Sequence, residues 1–343
     1  MKKKKIIPIL SVLACVLACC GIFAANFIID HRAANFRKTR VLYIYPETTA
    51  AQVYDSLSDI AIRPRSLSRA FRKEDVAGRL KPGRYQVDPA NSSIYVARML
   101  SSGWQTPGRL VLSGTLRDKG TIARKISSQM MVDSASVASA LSDGGILSKY
   151  GFSPRTVFAL FMPDTYEMYW TASVDEILER QKTEYDAFWT AENKKKAEEL
   201  GLSQMDVSIL ASIVNGESNY EPEFPKIAGV YLNRLRKGMK LQADPTVAFC
   251  FDYKLKRVLN KHLSIDSPYN TYLHEGLPPG PICVPTKASL NAVLNPDRHG
   301  YLFFCASPDF NGSHRFAATL QEHSRNAREF QAALNARNRD KGK

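Results

Sequence analysis

Ser203-Gln-Met-Asp-Val-Ser-Ile-Leu-Ala-Ser-Ile-Val-Asn-Gly-Glu-Ser218 reads as a helix whose last charged residue falls on its apolar stripe. Ser203 takes the N-cap and Asp206 the N3 position, a capping box that opens the helix. Ile209, Leu210, Ile213 and Val214 then recur at spacings of three and four, with Glu217 next in the series. The spacing predicts a carboxylate on the buried face, at the carboxyl end of the helix. Burial strips its hydration and the helix dipole presents its negative end, and both effects raise its pKa. A group so placed suits a general acid. It equally suits an ion-pair partner of Arg234 or a last-turn carboxylate turned to solvent, and the pattern alone leaves these open.

Downstream, a second helix is expected from Glu223 to Arg236, ending at Gly238, after which periodicity fails. Leu241-Gln-Ala-Asp-Pro-Thr246, Tyr269-Asn-Thr-Tyr272 and Gly276-Leu-Pro-Pro-Gly-Pro-Ile282 read as stiff polar and aromatic loops. Their amide, hydroxyl and phenol groups suit sugar hydroxyls and acetamido groups, whereas plain turn chemistry explains the prolines and glycines. Tyr301-Leu-Phe-Phe304 reads as a core strand, Ser313-His-Arg-Phe316 follows an Asn-Gly turn, and Leu320 to Arg337 is a closing helix with a basic, fraying tail.

Upstream, Val174 to Leu200 is expected to be one long charged helix ended by Gly201, its Lys194–Lys196 run a solvated face. Strand-then-helix passes begin at Arg40–Tyr45 and at Arg109–Leu112. Between them a strand follows the Lys81-Pro-Gly turn, and a helix near Ile94–Leu100 stops at Gly103. They make a compact α/β module over 40–150. The expected division is 1–39, 40–150, a connecting region 151–200, and 201–343.

At the amino terminus, Lys2–Lys5 precede Ile6–Ile29, which carries no charge. A helix of that length spans about 36 Å, enough for a bilayer core. The lysines place its start on the cytoplasmic side, so the bulk of the chain is extracytoplasmic. A cleaved signal peptide would look similar, but the length of the run favours a retained anchor. Cys15 and Cys19 loosely match a lipid-attachment site, yet apolar residues continue well past them. Of the formal net charge of +14, residues 1–40 supply half, with eight Lys and Arg against Asp30. A moderately basic remainder suits anionic lipid or wall polymer. No basic-aromatic motif supports nucleic-acid binding. Cys250, Cys283 and Cys305 lack CxxC spacing; at most one intramolecular pair can form among them, which the sequence does not choose, and buried free thiols are the preferred reading. The histidines form no metal pattern, so neither metal nor cofactor is expected.

The string Ala211–Ser218, with Phe161–Tyr166, Asn233–Leu235, Leu241–Thr246, Tyr269–Tyr272 and Gly276–Ile282 in that order, resembles the YceG-like (MltG) endolytic murein transglycosylases. The resemblance covers most of the chain. It implies an α+β chain with a single transmembrane helix, a LysM-like module over 40–150 and a mainly helical, lysozyme-like catalytic domain. The motif's second acidic residue falls on Glu217. Asn215 stands where the family commonly has a further glutamate, which leaves Glu217 as sole acid/base. Ser218, Gln242, Asp244, Thr246, Tyr269, Asn270 and Tyr272 would hold the sugar. The implied reaction cleaves the MurNAc–GlcNAc bond within nascent peptidoglycan strands, leaving 1,6-anhydro-MurNAc ends. The implied partners are glycan strands, the cytoplasmic membrane and wall synthases. Two alternatives stand beside it. One is a hydrolytic muramidase with Asp244 as second carboxylate, and the other a non-catalytic wall-binding protein.

Overall fold

The computed structural model describes the backbone of residues 3–341 and the side chains of 11–339. Lys2 and the side chains of Lys3–Lys5, invoked above for orientation, lie outside the described residues. The chain forms two compact units. One holds residues 1–110 with the returning segment Tyr166–Ala172, and the other holds 111–165 and 173–343.

The first unit begins with α1 (Lys3–Arg32), in which Ser11–Arg32 is long and apolar enough to cross a membrane. Strand β1 (Arg40–Ile44) is followed by α2 (Ala50–Ser58), α3 (Pro64–Lys73) and α4 (Val76–Arg79). Strand β2 (Gly83–Val87), α5 (Ser93–Ser102) and β3 (Gly108–Val111) complete the run. β1 and β2 are antiparallel, with Leu42 opposite Tyr85 and Ile44 opposite Gly83. Alternation along them sends Leu42, Ile44, Tyr85 and Val87 into a core shared with Val53, Leu57, Leu67 and Leu100. Helix α2 opens on a capping box of Thr49 and Gln52, and α5 closes on Gly103 at φ 75°, a left-handed cap that glycine adopts without strain. The returning segment carries part of β4 (Thr165–Met168), the partner of β3. Its Trp170 lies edge-on to Tyr43 and Tyr45.

The second unit is mostly helical. α6 (Lys119–Ser127), α7 (Ser134–Ala140) and α8 (Gly144–Ser148) precede α9 (Val174–Phe188) and α10 (Ala191–Glu199). α11 (Gln204–Glu217), α12 (Phe224–Arg236), α13 (Asp244–Cys250) and α14 (Lys287–Leu294) follow. An antiparallel hairpin, β5 (Phe303–Ala306) with β6 (His314–Ala317), and α15 (Leu320–Lys341) end the chain. α11, α12 and α14 pack on one another around Leu210, Val214, Ile227, Val230, Leu290 and Val293, all nearly inaccessible to solvent.

Several expectations change. The 174–200 helix is two helices, because Trp189 is buried and Thr190 caps a new start by accepting the Asn193 amide at 3.2 Å. The first compact unit closes near Leu110 and takes up Tyr166–Ala172. Beyond Leu110 the backbone bonds elsewhere, with Leu116 O accepting from Val284 N (2.9 Å) and Arg117 stacking over Tyr253. The second half of the expected Leu241–Thr246 loop opens a helix, α13, which has Pro245 in its first turn, where a missing N–H costs nothing. Tyr301–Phe304 is not a core strand; β5 is half-buried throughout.

Candidate active site

The capping box at Ser203 and Asp206 is present, and α11 runs to Glu217, with Ser218 leaving the helix in an extended conformation. Glu217 lines a cavity of about 420 Å³ with Tyr231, Arg234, Gln242, Asp244 and Tyr272 on one part of the wall. Phe303, Phe304 and His314 of the β5–β6 hairpin and His323 of α15 line the rest. Every one of these groups belongs to the second unit.

Glu217 is half-buried, and its carboxyl is raised to about 7. Loss of hydration is the main cause, and the nearby Asp244 carboxylate adds to it. The Tyr231 hydroxyl donates to Glu217 Oε1, and with the charge of Arg234 it pulls the other way. Burial and the adjoining carboxylate push the Tyr231 phenol well above its ordinary range, so it stays a donor at neutral pH.

Arg234 is 8% exposed and makes no ion pair with Glu217 among the described residues. Its Nε donates to Leu302 O (2.6 Å) and its Nη1 to Leu241 O (2.8 Å), while its plane covers the Phe303 ring. It thereby ties α12 to the hairpin and to the 240–242 turn, and leaves a charge beside the cavity. Gln242 occupies left-handed backbone (φ 51°), a conformation that costs a non-glycine residue about 1 kcal/mol or more. The turn is held by Gln242 N donating to Thr271 O (3.1 Å). Tyr272 donates its hydroxyl to Asp244 Oδ1 at 2.7 Å, which orients that carboxylate.

Of the residues singled out above, Glu217, Gln242, Asp244 and Tyr272 meet in this cavity. The remaining four build its frame. Thr246 is wholly buried, donating to Ala243 O (2.7 Å) and pairing with the Thr271 hydroxyl (2.9 Å). Asn270 is also wholly buried and staples its own loop through Leu263 O and Ile265 O, both at 2.9 Å. Tyr269 packs against Phe249, and the buried Ser218 hydroxyl accepts the Tyr220 amide. The 276–282 loop bonds back onto α11, where Ser212 Oγ accepts from Ile282 N at 3.0 Å.

Sequence reasoning missed Tyr231 and the hairpin residues. A signal for Tyr231 existed: Ile227, Tyr231 and Arg234 follow one stripe of α12, so two polar groups sit on an apolar face. Nothing local marked His314. Its Nδ1 and backbone N–H both meet Glu223 (2.9 and 3.0 Å), an arrangement made only when β6 packs beside the start of α12. Cys250, Cys283 and Cys305 are free thiols, and the buried Cys283 thiol is pushed up to about 12. Among the described residues no group of three or more His, Cys, Asp or Glu side chains is gathered to hold a metal.

The chain is similar to known proteins. A stretch of 156 residues is 39% identical to the endolytic murein transglycosylase of Bacillus subtilis (strain 168), covering 45% of this chain and 42% of that protein. Another of 161 residues is 27% identical to the endolytic murein transglycosylase of Streptococcus pneumoniae (D39), covering 46% and 28%. The matched stretch thus spans less than half the length of either relative. The crystal structure of a yceG-like protein from Listeria monocytogenes superimposes with a TM-score of 0.54 at 26% identity, covering 84% of this chain and 99% of that one. The model of the YceG-like family matches residues 42–329, and the chain belongs to that family.

Proposed function

We propose that the chain is an endolytic peptidoglycan lytic transglycosylase, anchored in the cytoplasmic membrane by α1 with its remaining domains on the extracytoplasmic side. The observation that carries the reading is Glu217 itself: a carboxyl raised to about 7 in a polar cavity and held by the Tyr231 hydroxyl. A pKa near the working pH lets one group serve first as acid and then as base. Protonated Glu217 gives its proton to the oxygen linking MurNAc to GlcNAc. The resulting carboxylate then takes the proton of the muramoyl C6 hydroxyl, whose oxygen attacks the anomeric carbon and closes the 1,6-anhydro ring. Water enters neither step.

In this reading Gln242, Asp244 and Tyr272, which line the cavity, hold the sugar. Thr246, Tyr269, Asn270 and Ser218 act one layer behind them, by shaping the loops. The first unit takes the LysM-like role and the second the lysozyme-like one. Wall synthases are the proposed partners, since an anchored site works on strands as they leave the membrane.

A hydrolytic muramidase is the second reading, favoured by one observation: Asp244 shares the cavity and acts on the charge of Glu217. Mass spectrometry of products from purified glycan strands separates the two. Anhydromuramoyl ends are expected; reducing ends heavier by one water would establish the muramidase. Glu217→Gln is expected to abolish cleavage while strand binding persists. Unchanged cleavage would remove Glu217 from the mechanism.

A further inference from the structure

α1 does not end where its apolar run ends; its last turn is built into the first unit. Asp30 is buried and accepts from Ser66 Oγ (2.6 Å), Arg69 Nη2 (2.6 Å) and Arg69 Nε (2.9 Å). Asn35 continues the join, donating to Ser93 Oγ (2.7 Å) and accepting from Arg63 N (2.8 Å). Helix and unit therefore tilt together. The uncharged run Ile6–Ile29 within α1 spans about 36 Å, enough for a bilayer core, so His31 and Arg32, which follow it, emerge at headgroup level.

At that level lies a cavity of about 480 Å³ lined by His31, Arg32, Ser92, Tyr95, Arg98 and Trp104. Tyr95 and Trp104 are 46% and 52% exposed, with ring centroids 6.1 Å apart. Lys73, at the end of α3, reaches back along α1, its Nζ 3.2 Å from His31 Nε2 and 5.4 Å from the Phe27 ring centre. Arg98 is shared with Glu74 and Arg69 with Asp30. Among the described residues no carboxylate pairs with Arg32, Arg65, Arg72 or Lys73.

We propose that this face binds anionic phospholipid headgroups. Arg32 and Lys73 meet the phosphate, while Trp104 and Tyr95 take the interfacial layer where an amphipathic ring is most stable. The site goes beyond the cleavage reaction and rests only on α1 crossing a bilayer. Headgroups clasped here hold the first unit at one tilt against the leaflet.

The test places the full chain in nanodiscs of phosphatidylcholine mixed with phosphatidylglycerol, either lipid brominated high in its chains. Brominated phosphatidylglycerol is expected to quench tryptophan fluorescence more than brominated phosphatidylcholine. Trp104→Phe is expected to lose that excess, because Trp170 and Trp189 are buried. Arg32→Gln and Lys73→Gln, both at exposed positions, are each expected to lower the preference for phosphatidylglycerol about fivefold. Circular dichroism shows that the variants are folded. An equal response to the two lipids, or quenching unchanged in Trp104→Phe, overturns the site. So does shielding of Trp104 from aqueous iodide by soluble glycan strands in place of lipid, which would make the face a glycan surface. Failure to enter the discs would refute the anchor, and this site with it, before any quenching is read.

Discussion

Glu217 carries its own cost. Its carboxyl is ordinary at 4.5 in the unfolded chain and about 7 in the folded one, so folding takes up a proton between those values. Stability from this group is fully present below about pH 4.5 and is lost as pH rises through about 7. Glu217→Gln keeps an acceptor for the Tyr231 hydroxyl and removes the charge. It is expected to stabilise the protein by roughly 1–3 kcal/mol at about pH 8 and by nothing below about pH 4.5. Urea unfolding across that pH range checks this, and a gain at low pH would contradict it. Tyr231→Phe removes a donor that favours the charged carboxylate. The basic limb of the pH–activity profile, which reports protonated Glu217, is then expected to move upward while kcat falls about tenfold or more. Arg234→Lys keeps the charge but not the forked donors to Leu302 O and Leu241 O, so kcat should fall even though the sign of the charge is unchanged.

The spacing of α11 against α13 is set by Gly216. A Cβ there would stand 2.7 Å from Pro245 Cβ, next to Asp244. Alanine ordinarily improves a helix interior by about 1 kcal/mol over glycine, but here the close approach opposes it. Gly216→Ala is expected to cost about 1–3 kcal/mol of stability and to lower cleavage by spreading Glu217 from Asp244. A thermal melt with a parallel cleavage assay checks it; a more stable, fully active variant would mean α13 yields freely. Elements with a local signature were legible before the fold was. The Ser203 capping box, the Gly103 stop, the β1 alternation and the Asn311-Gly312 hairpin turn all stand where the residues indicate. The 174–200 break was not, because a buried Trp189 followed by a Thr190 cap competes with good helix formers on both sides.

The two compact units are expected to answer separately to substitution. Asp30 lies on a helix that reads as pure anchor, yet its carboxylate joins that helix to the core of the first unit. Asp30→Ala leaves Arg69 and Ser66 without their partner. It is expected to destabilise the first unit by roughly 1–3 kcal/mol, the lower end reflecting Arg69's partial exposure. Hydrogen exchange should show protection falling among residues 36–100 and holding in α11, α12 and α14. An equal loss in both units would mean that they unfold as one.

Periodicity and capping are local properties that a short stretch carries whole, so the apolar helix, the capped start of α11 and Glu217 on its apolar stripe can be read from the residues alone. Which groups meet Glu217 depends on packing between elements distant along the chain. Tyr231, Arg234 and His314 reach the cavity, whereas Thr246 and Asn270 are spent inside their loops. The difference is physical: a loop side chain bonds its own backbone or turns to a cavity according to what packs behind it. For β5–β6, 86 residues beyond Glu217 at its first residue, that packing is set by contacts far apart along the chain.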